Sequence, residues 1–134
     1  MGLIVDTGVF ITYERLGISP DFSRFGPVDA NWISAVTYSE LLAGVHMANS
    51  EDRRVRRLAF VEKVLVAIPV LSFTRSTAPI HAEIGAFLRR AGKTIGPHDL
   101  MIAATALEHG HSVLTLNFGE FERVPGLTVI RWTK

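Results

Sequence analysis

Five side chains set the chemical possibilities of this sequence: Asp6, Glu40, Asp99, Asn117 and Glu120. Asp6 follows the apolar run Leu3-Ile4-Val5 and precedes Thr7-Gly8. Glu40 stands six residues beyond Ser34, a natural helix cap. Asp99 follows Gly96-Pro97-His98, and Asn117 and Glu120 follow the apolar run Val113-Leu114-Thr115-Leu116. Strand-to-helix junctions of an open α/β sheet converge at one edge, whatever their separation in sequence. Carboxylates gathered there repel one another and rise in pKa. A divalent cation removes that conflict. Hard oxygen donors in a chain without cysteine favour magnesium, with manganese as a substitute, over zinc. Taken singly, each acid also has a structural use. Asp6 can cap a helix, Glu40 can be an exposed helix residue, Asp99 a favourable charge at a helix N-terminus, and Glu120 a loop acid. The signal is their combination and order.

The elements that must position these acids follow from periodicity. Leu3-Ile4-Val5 reads as a strand buried on both faces. Val9, Phe10, Tyr13 and Leu16 have helical spacing, and Gly17 is a stop. Residues 18–30 hold Pro20, Gly26 and Pro27 and read as a loop. A second strand is expected over Asn31–Ser34, then a helix carrying Val36, Leu41, Leu42 and Val45 on its apolar side. A further helix from Glu51 to about Val66 places Val55, Leu58, Val61 and Leu65 on its core side, with Phe60 off that stripe. Pro69–Ser72 reads as a third strand. Ile80, Ile84, Phe87 and Leu88 mark a long helix. Pro97 and Asp99 open another, with Gly110 closing it. Val113–Leu116 and Leu127–Ile130 complete five strands. The alternation predicts one α/β domain over residues 1–134, a small, mainly parallel five-stranded sheet with helices on both faces.

Composition narrows the class. The chain has 134 residues, 48% hydrophobic and 20% charged, which suits a packed core and argues against disorder. No cysteine means no disulfide, thiolate zinc site or cysteine nucleophile. With no basic-then-apolar leader and no apolar run near the ~20 residues of a membrane helix, a soluble cytoplasmic protein without a membrane partner is expected. The net charge of +1 is unevenly spread: residues 53–93 hold nine Lys/Arg against Glu62 and Glu83. Such a basic middle suits a polyanion, or is simply a solvated helix face.

Four pieces of the chain, LIVDTGVFI, ISAVTYSELLAGV, IGPHDLMIAATALEHG and VLTLNFGEFERVPGLTVI, resemble PIN domains, most closely the VapC-type toxins of bacterial VapBC toxin–antitoxin modules. The resemblance implies a PIN-like three-layer fold and a magnesium-dependent ribonuclease. It also implies a homodimer inhibited by a cognate VapB-like antitoxin. Asp6, Glu40 and Asp99 match the first three acidic positions, and Thr7 the small hydroxyl residue after the first. Many relatives of this type read Thr-Arg-Asn-x-x-Asp-Phe, or place an Asp where Asn117 stands; this chain has Thr115-Leu116-Asn117-Phe118-Gly119-Glu120-Phe121. Asn117, Glu120 or both then complete the site, with Thr115 beside them. On this expectation Asp6 and Asp99 hold magnesium, and Glu40 is a further ligand or the base that orients water. Arg53, Arg54, Arg56 and Arg57 guide the RNA backbone, face the antitoxin, or are merely solvated.

Rival readings fit less well. A phosphatase of the haloacid-dehalogenase type needs a second acid two residues after the first, where this chain has Gly8. His98, His109 and His111 lack the HExxH spacing of a zinc hydrolase. A non-catalytic RNA-binding or protein-interaction module gains nothing from clustered negative charge.

Overall fold

The computed structural model describes every residue except Met1 and Val28. Its elements run β1 (Leu3–Val5), α1 (Thr7–Leu16), β2 (Asn31–Ser34), α2 (Ala35–His46), α3 (Glu51–Ala67) and β3 (Val70–Leu71). There follow α4 (Thr77–Arg90), α5 (Pro97–His109), β4 (Ser112–Thr115), α6 (Phe118–Phe121) and β5 (Val129–Arg131). The strand order is β3-β2-β1-β4-β5 and all four pairings are parallel. All strands therefore end at one edge. The chain turns from β1 to one side for β2 and β3, then returns to the other side for β4 and β5. The topological switch point, where open sheets of this kind bind ligands, lies between β1 and β4.

The pleat of β1 divides the interior into two cores. Leu3 and Val5 join Val9, Phe10, Tyr13, Ile33, Leu41, Val45, Val61, Val64 and Leu114 on the face covered by α1, α2 and α3. Ile4 joins Ile84, Leu88, Ile102, Ala103, Ala106, Val113 and Phe121 on the face covered by α4, α5 and α6. This period-2 division explains why a strand of only three residues is apolar throughout. Gly17 and Gly110 end α1 and α5 in the left-handed conformation at φ 69° and 68°, the stops expected of them. Phe10 is fully buried and meets the Phe22 ring edge-on at 5.7 Å. Phe10→Ala should cost about 3–5 kcal/mol of stability, readable as a lower urea midpoint; a loss below about 1 kcal/mol would contradict this packing.

Several sequence expectations shift. Val55 is 52% exposed, and Val64 takes its place in the core beside Val61. A 17-residue helix is about 25 Å long, whereas four strand residues span about 13 Å, so one end of α3 outruns the sheet it covers. Phe87 is 46% exposed because Ile84 and Leu88 define the buried line of α4. β3 is shorter than expected, β4 begins and ends one residue earlier, and β5 starts at Val129. The short α6 has no counterpart in the sequence pattern. The expected loop 18–30 is free of helix and strand at its described residues and has turns at 23–25; Val28 lies outside the described residues.

Candidate active site at the strand ends

Asp6 sits where β1 stops and α1 starts, 7% exposed. Its Oδ1 accepts from the Thr7 backbone N–H at 2.8 Å, and its Oδ2 from the Thr115 hydroxyl at 2.8 Å. Both donors favour the ionised form, but burial outweighs them, and Glu40 and Glu120 add their charges. The Asp6 carboxyl is held above its usual range. The capping role open to Asp6 is thus real, and it does not exhaust the residue's surroundings.

Asp99 lies in the first turn of α5, a position that ordinarily favours a carboxylate. Here crowding wins. Burial first, then the charges of Asp6 and Glu120 and a carboxyl–carboxyl hydrogen bond with Glu120, push its pKa up to about 7. Glu120 moves the other way. The Gly96 N–H donates to its Oε1 and pulls its pKa below the usual range, with smaller help from Asn117, Asp99 and Arg123. The shared proton belongs on Asp99, and Glu120 carries the charge. Asn117 Nδ2 bridges the pair, donating to Glu120 Oε2 at 2.5 Å and to Asp99 Oδ2 at 3.3 Å. Its backbone N–H donates to Thr115 Oγ1 at 2.8 Å. Both residues left open as the fourth position, Asn117 and Glu120, therefore meet Asp99.

Glu40 reaches the same edge from the second turn of α2. Its Oε1 accepts from the Thr7 hydroxyl at 2.7 Å, and its Oε2 lies 3.2 Å from His98 Nδ1. Thr37, fully buried, places its hydroxyl 3.0 Å from that of Thr7 and 3.3 Å from that of Ser34. Thr7 has one proton and the carboxylate only accepts, so Thr7 donates to Glu40. Thr37 and His98 support Glu40, and sequence reasoning missed both roles. The only signal was Thr37 three residues after the Ser34 cap, whose hydroxyl accepts from the Thr37 N–H at 3.1 Å.

Three of the four arginines of α3 are engaged elsewhere, and Arg56 lies with two of them along a groove. Arg54 pairs with Glu51 at 2.5 Å, Arg53 donates to Asn49 at 3.1 Å, and Arg57 donates to the Gly44 carbonyl at 2.7 Å. Arg53, Arg56 and Arg57 line a groove of about 960 Å³ between α3 and the 17–23 segment, and none of the four acids lines it.

Among the described residues, no three His, Asp or Glu side chains already close around one point as a metal cage. The donor chemistry nevertheless fits a hard cation. Asp6, Asp99 and Glu120 are coupled through their charges, and an amide oxygen is at hand on Asn117. Gly96 lies directly beside the pair: a Cβ there would stand 3.4 Å from Glu120 Oε1 and 3.8 Å from Asp99 Oδ2. These are the groups that would hold such a cation.

Comparison with known proteins identifies the family. The PIN domain signature matches residues 3–127. Ribonuclease VapC1 of Rickettsia felis is 41% identical over 131 residues, covering 97% of this chain and 96% of that protein. The tRNA(fMet)-specific endonuclease VapC of Salmonella typhimurium is 37% identical over 100 residues, covering 75% and 74%. The crystal structure of DNA-bound VapBC from Salmonella typhimurium superposes with a TM-score of 0.87 at 30% identity, covering 99% of each chain. By signature, by near-full-length identity and by fold, the chain belongs to the PIN-domain family, among the VapC ribonucleases.

Proposed function

We propose that the protein is the toxin of a toxin–antitoxin module, an endoribonuclease that uses magnesium or manganese at Asp6, Asp99, Glu40 and Glu120 to hydrolyse RNA phosphodiester bonds. The observation that carries the metal is the charge conflict itself: Asp99 is driven to about 7 by burial and by its acidic neighbours, as expected of a site built for a cation. When bound, the ion polarises the phosphate and acidifies water. The chain does the rest. Thr7 N–H and Thr115 fix both oxygens of Asp6 as a ligand. Asn117 steers Asp99 and Glu120 together. Thr7 and His98 orient Glu40, which takes a proton from the attacking water or joins the ligand set.

The module reading brings a VapB-like antitoxin as partner. The groove along α3 supports this, with Ile18, Phe22 and Phe60 as its apolar floor and Arg53, Arg56 and Lys63 as its basic rim. That lining suits an amphipathic acidic segment. A second copy of the chain is part of the same reading, and exposed Val66, Met47 and Phe87 offer apolar surface for it. No helix among the described residues is long and apolar enough to cross a membrane. A cytoplasmic setting, where RNA is met, goes with the proposal.

The test is an RNA panel that includes tRNA(fMet), the substrate named for the Salmonella relative. Cleavage in magnesium or manganese that stops in EDTA is the expected result. An RNA panel left intact by well-folded protein in both metals would leave a non-catalytic RNA-binding or protein-interaction module instead.

A further inference from the structure

An RNA backbone approaching this edge meets four carboxylates and needs a cation to hold it. Arg123 donates to the Thr94 carbonyl at 3.0 Å and is occupied by the chain. Leu116, the residue after β4, is 47% exposed and carries no charge. Strand register supplies a different cation. Arg131, the last residue of β5, pairs in the sheet with Thr115, whose hydroxyl holds Asp6. It is exposed, and among the described residues no carboxylate pairs with it. Its guanidinium lies over the Phe118 ring at 4.6 Å, and Phe118 directly follows the Asn117 that bridges Asp99 and Glu120. A ring under the cation restricts its rotamers while leaving its N–H donors free, which preorganises it for a phosphate oxygen.

We propose that Arg131, held over Phe118, is a phosphate anchor for the RNA substrate, gripping a backbone phosphate beside the one that is cleaved. Phe118 is its positioning residue. The inference rests on the nuclease reading and adds to it a binding subsite on β5. An uncompensated Arg on an aromatic ring is also compatible with a purely structural clasp between α6 and β5. Binding measurements separate the two.

The experiment compares wild type, Arg131→Gln, Arg131→Lys and Phe118→Leu in steady-state cleavage of one RNA, and in fluorescence anisotropy with the same RNA in EDTA across a salt series. Arg131→Gln should raise KM roughly tenfold with kcat little changed. It should also flatten the slope of log affinity against log salt by about 0.7, one phosphate contact on a single strand. Arg131→Lys should keep the salt slope and recover part of the affinity, and Phe118→Leu should raise KM by less than Arg131→Gln. Wild-type KM and salt slope in folded Arg131→Gln would overturn the anchor while leaving the nuclease reading intact. A lowered melting temperature in Arg131→Gln with unaltered binding would assign the pair to the clasp. Wild-type protein that neither cuts nor binds RNA would sink both readings together.

Discussion

Asp99→Asn is expected to reduce RNA cleavage by more than the roughly 10- to 100-fold cost of losing a group that merely supports a metal ligand. The substitution keeps the size of the side chain and an oxygen that can accept from Asn117, but removes the charge a cation needs. It also removes one member of a repelling set, so the metal-free variant should melt no lower than wild type at pH 8. These two outcomes belong together: activity lost with stability kept or gained marks a residue under functional rather than structural load. Folded Asp99→Asn that cuts RNA at the wild-type rate would remove Asp99 from the site. Single-turnover cleavage alongside thermal melts in EDTA provides both readings.

The second large effect is on the coupling of metal, protons and stability. A carboxyl with a folded-state pKa of about 7, against an ordinary value near 4, stabilises the fold fully below pH 4 and loses that contribution as the pH rises through 7. Asp6, also raised, acts in the same direction. Glu120 is lowered, so its contribution is present at neutral pH and fails only in acid. Metal-free protein should therefore lose melting temperature between pH 5 and pH 8. On the proposed reading magnesium displaces the proton from Asp99 when it binds, so the stabilisation it gives should be small at pH 5 and grow steadily to pH 8. Melts in EDTA and in millimolar magnesium across that range would show it. A magnesium shift that is the same at pH 5 and pH 8, or that persists unchanged in Asp99→Asn, would place the ion elsewhere. Cleavage should weaken on acidification for the same reason.

The parts legible in the sequence were those governed by local rules. Val5-Asp6-Thr7 announced a strand end, a cap and a carboxylate at once, and the structure puts all three there. Gly17, Ser34, Gly110 and Pro97 marked helix ends through backbone chemistry that depends on few neighbours. The approach of Asp99 to Glu120 was foreseeable from topology, but the direction of each pKa was not. Glu120 falls chiefly through one backbone donor, the Gly96 N–H, whereas Asp99 rises first through its burial. Val55 and Phe87 look apolar and periodic, yet they sit outside the core. Helical spacing gives the stripe but not where the sheet beneath it stops. Arg131 was invisible for a related reason. Only the pairing of β5 with β4 brings it level with Thr115.

That same pairing has a consequence for the making of the protein. Asp6 is made 109 residues before the Thr115 whose hydroxyl orients it, and β1 gains its β4 neighbour only then. Asp99, Asn117 and Glu120 likewise come late. A nascent chain carries Asp6 through the synthesis of those 109 residues without the partners that complete the site. The central strand cannot be flanked on both sides until the closing segments emerge. Until Thr115 has been made, Asp6 lacks one of the two donors that fix its carboxylate, and the site is unassembled.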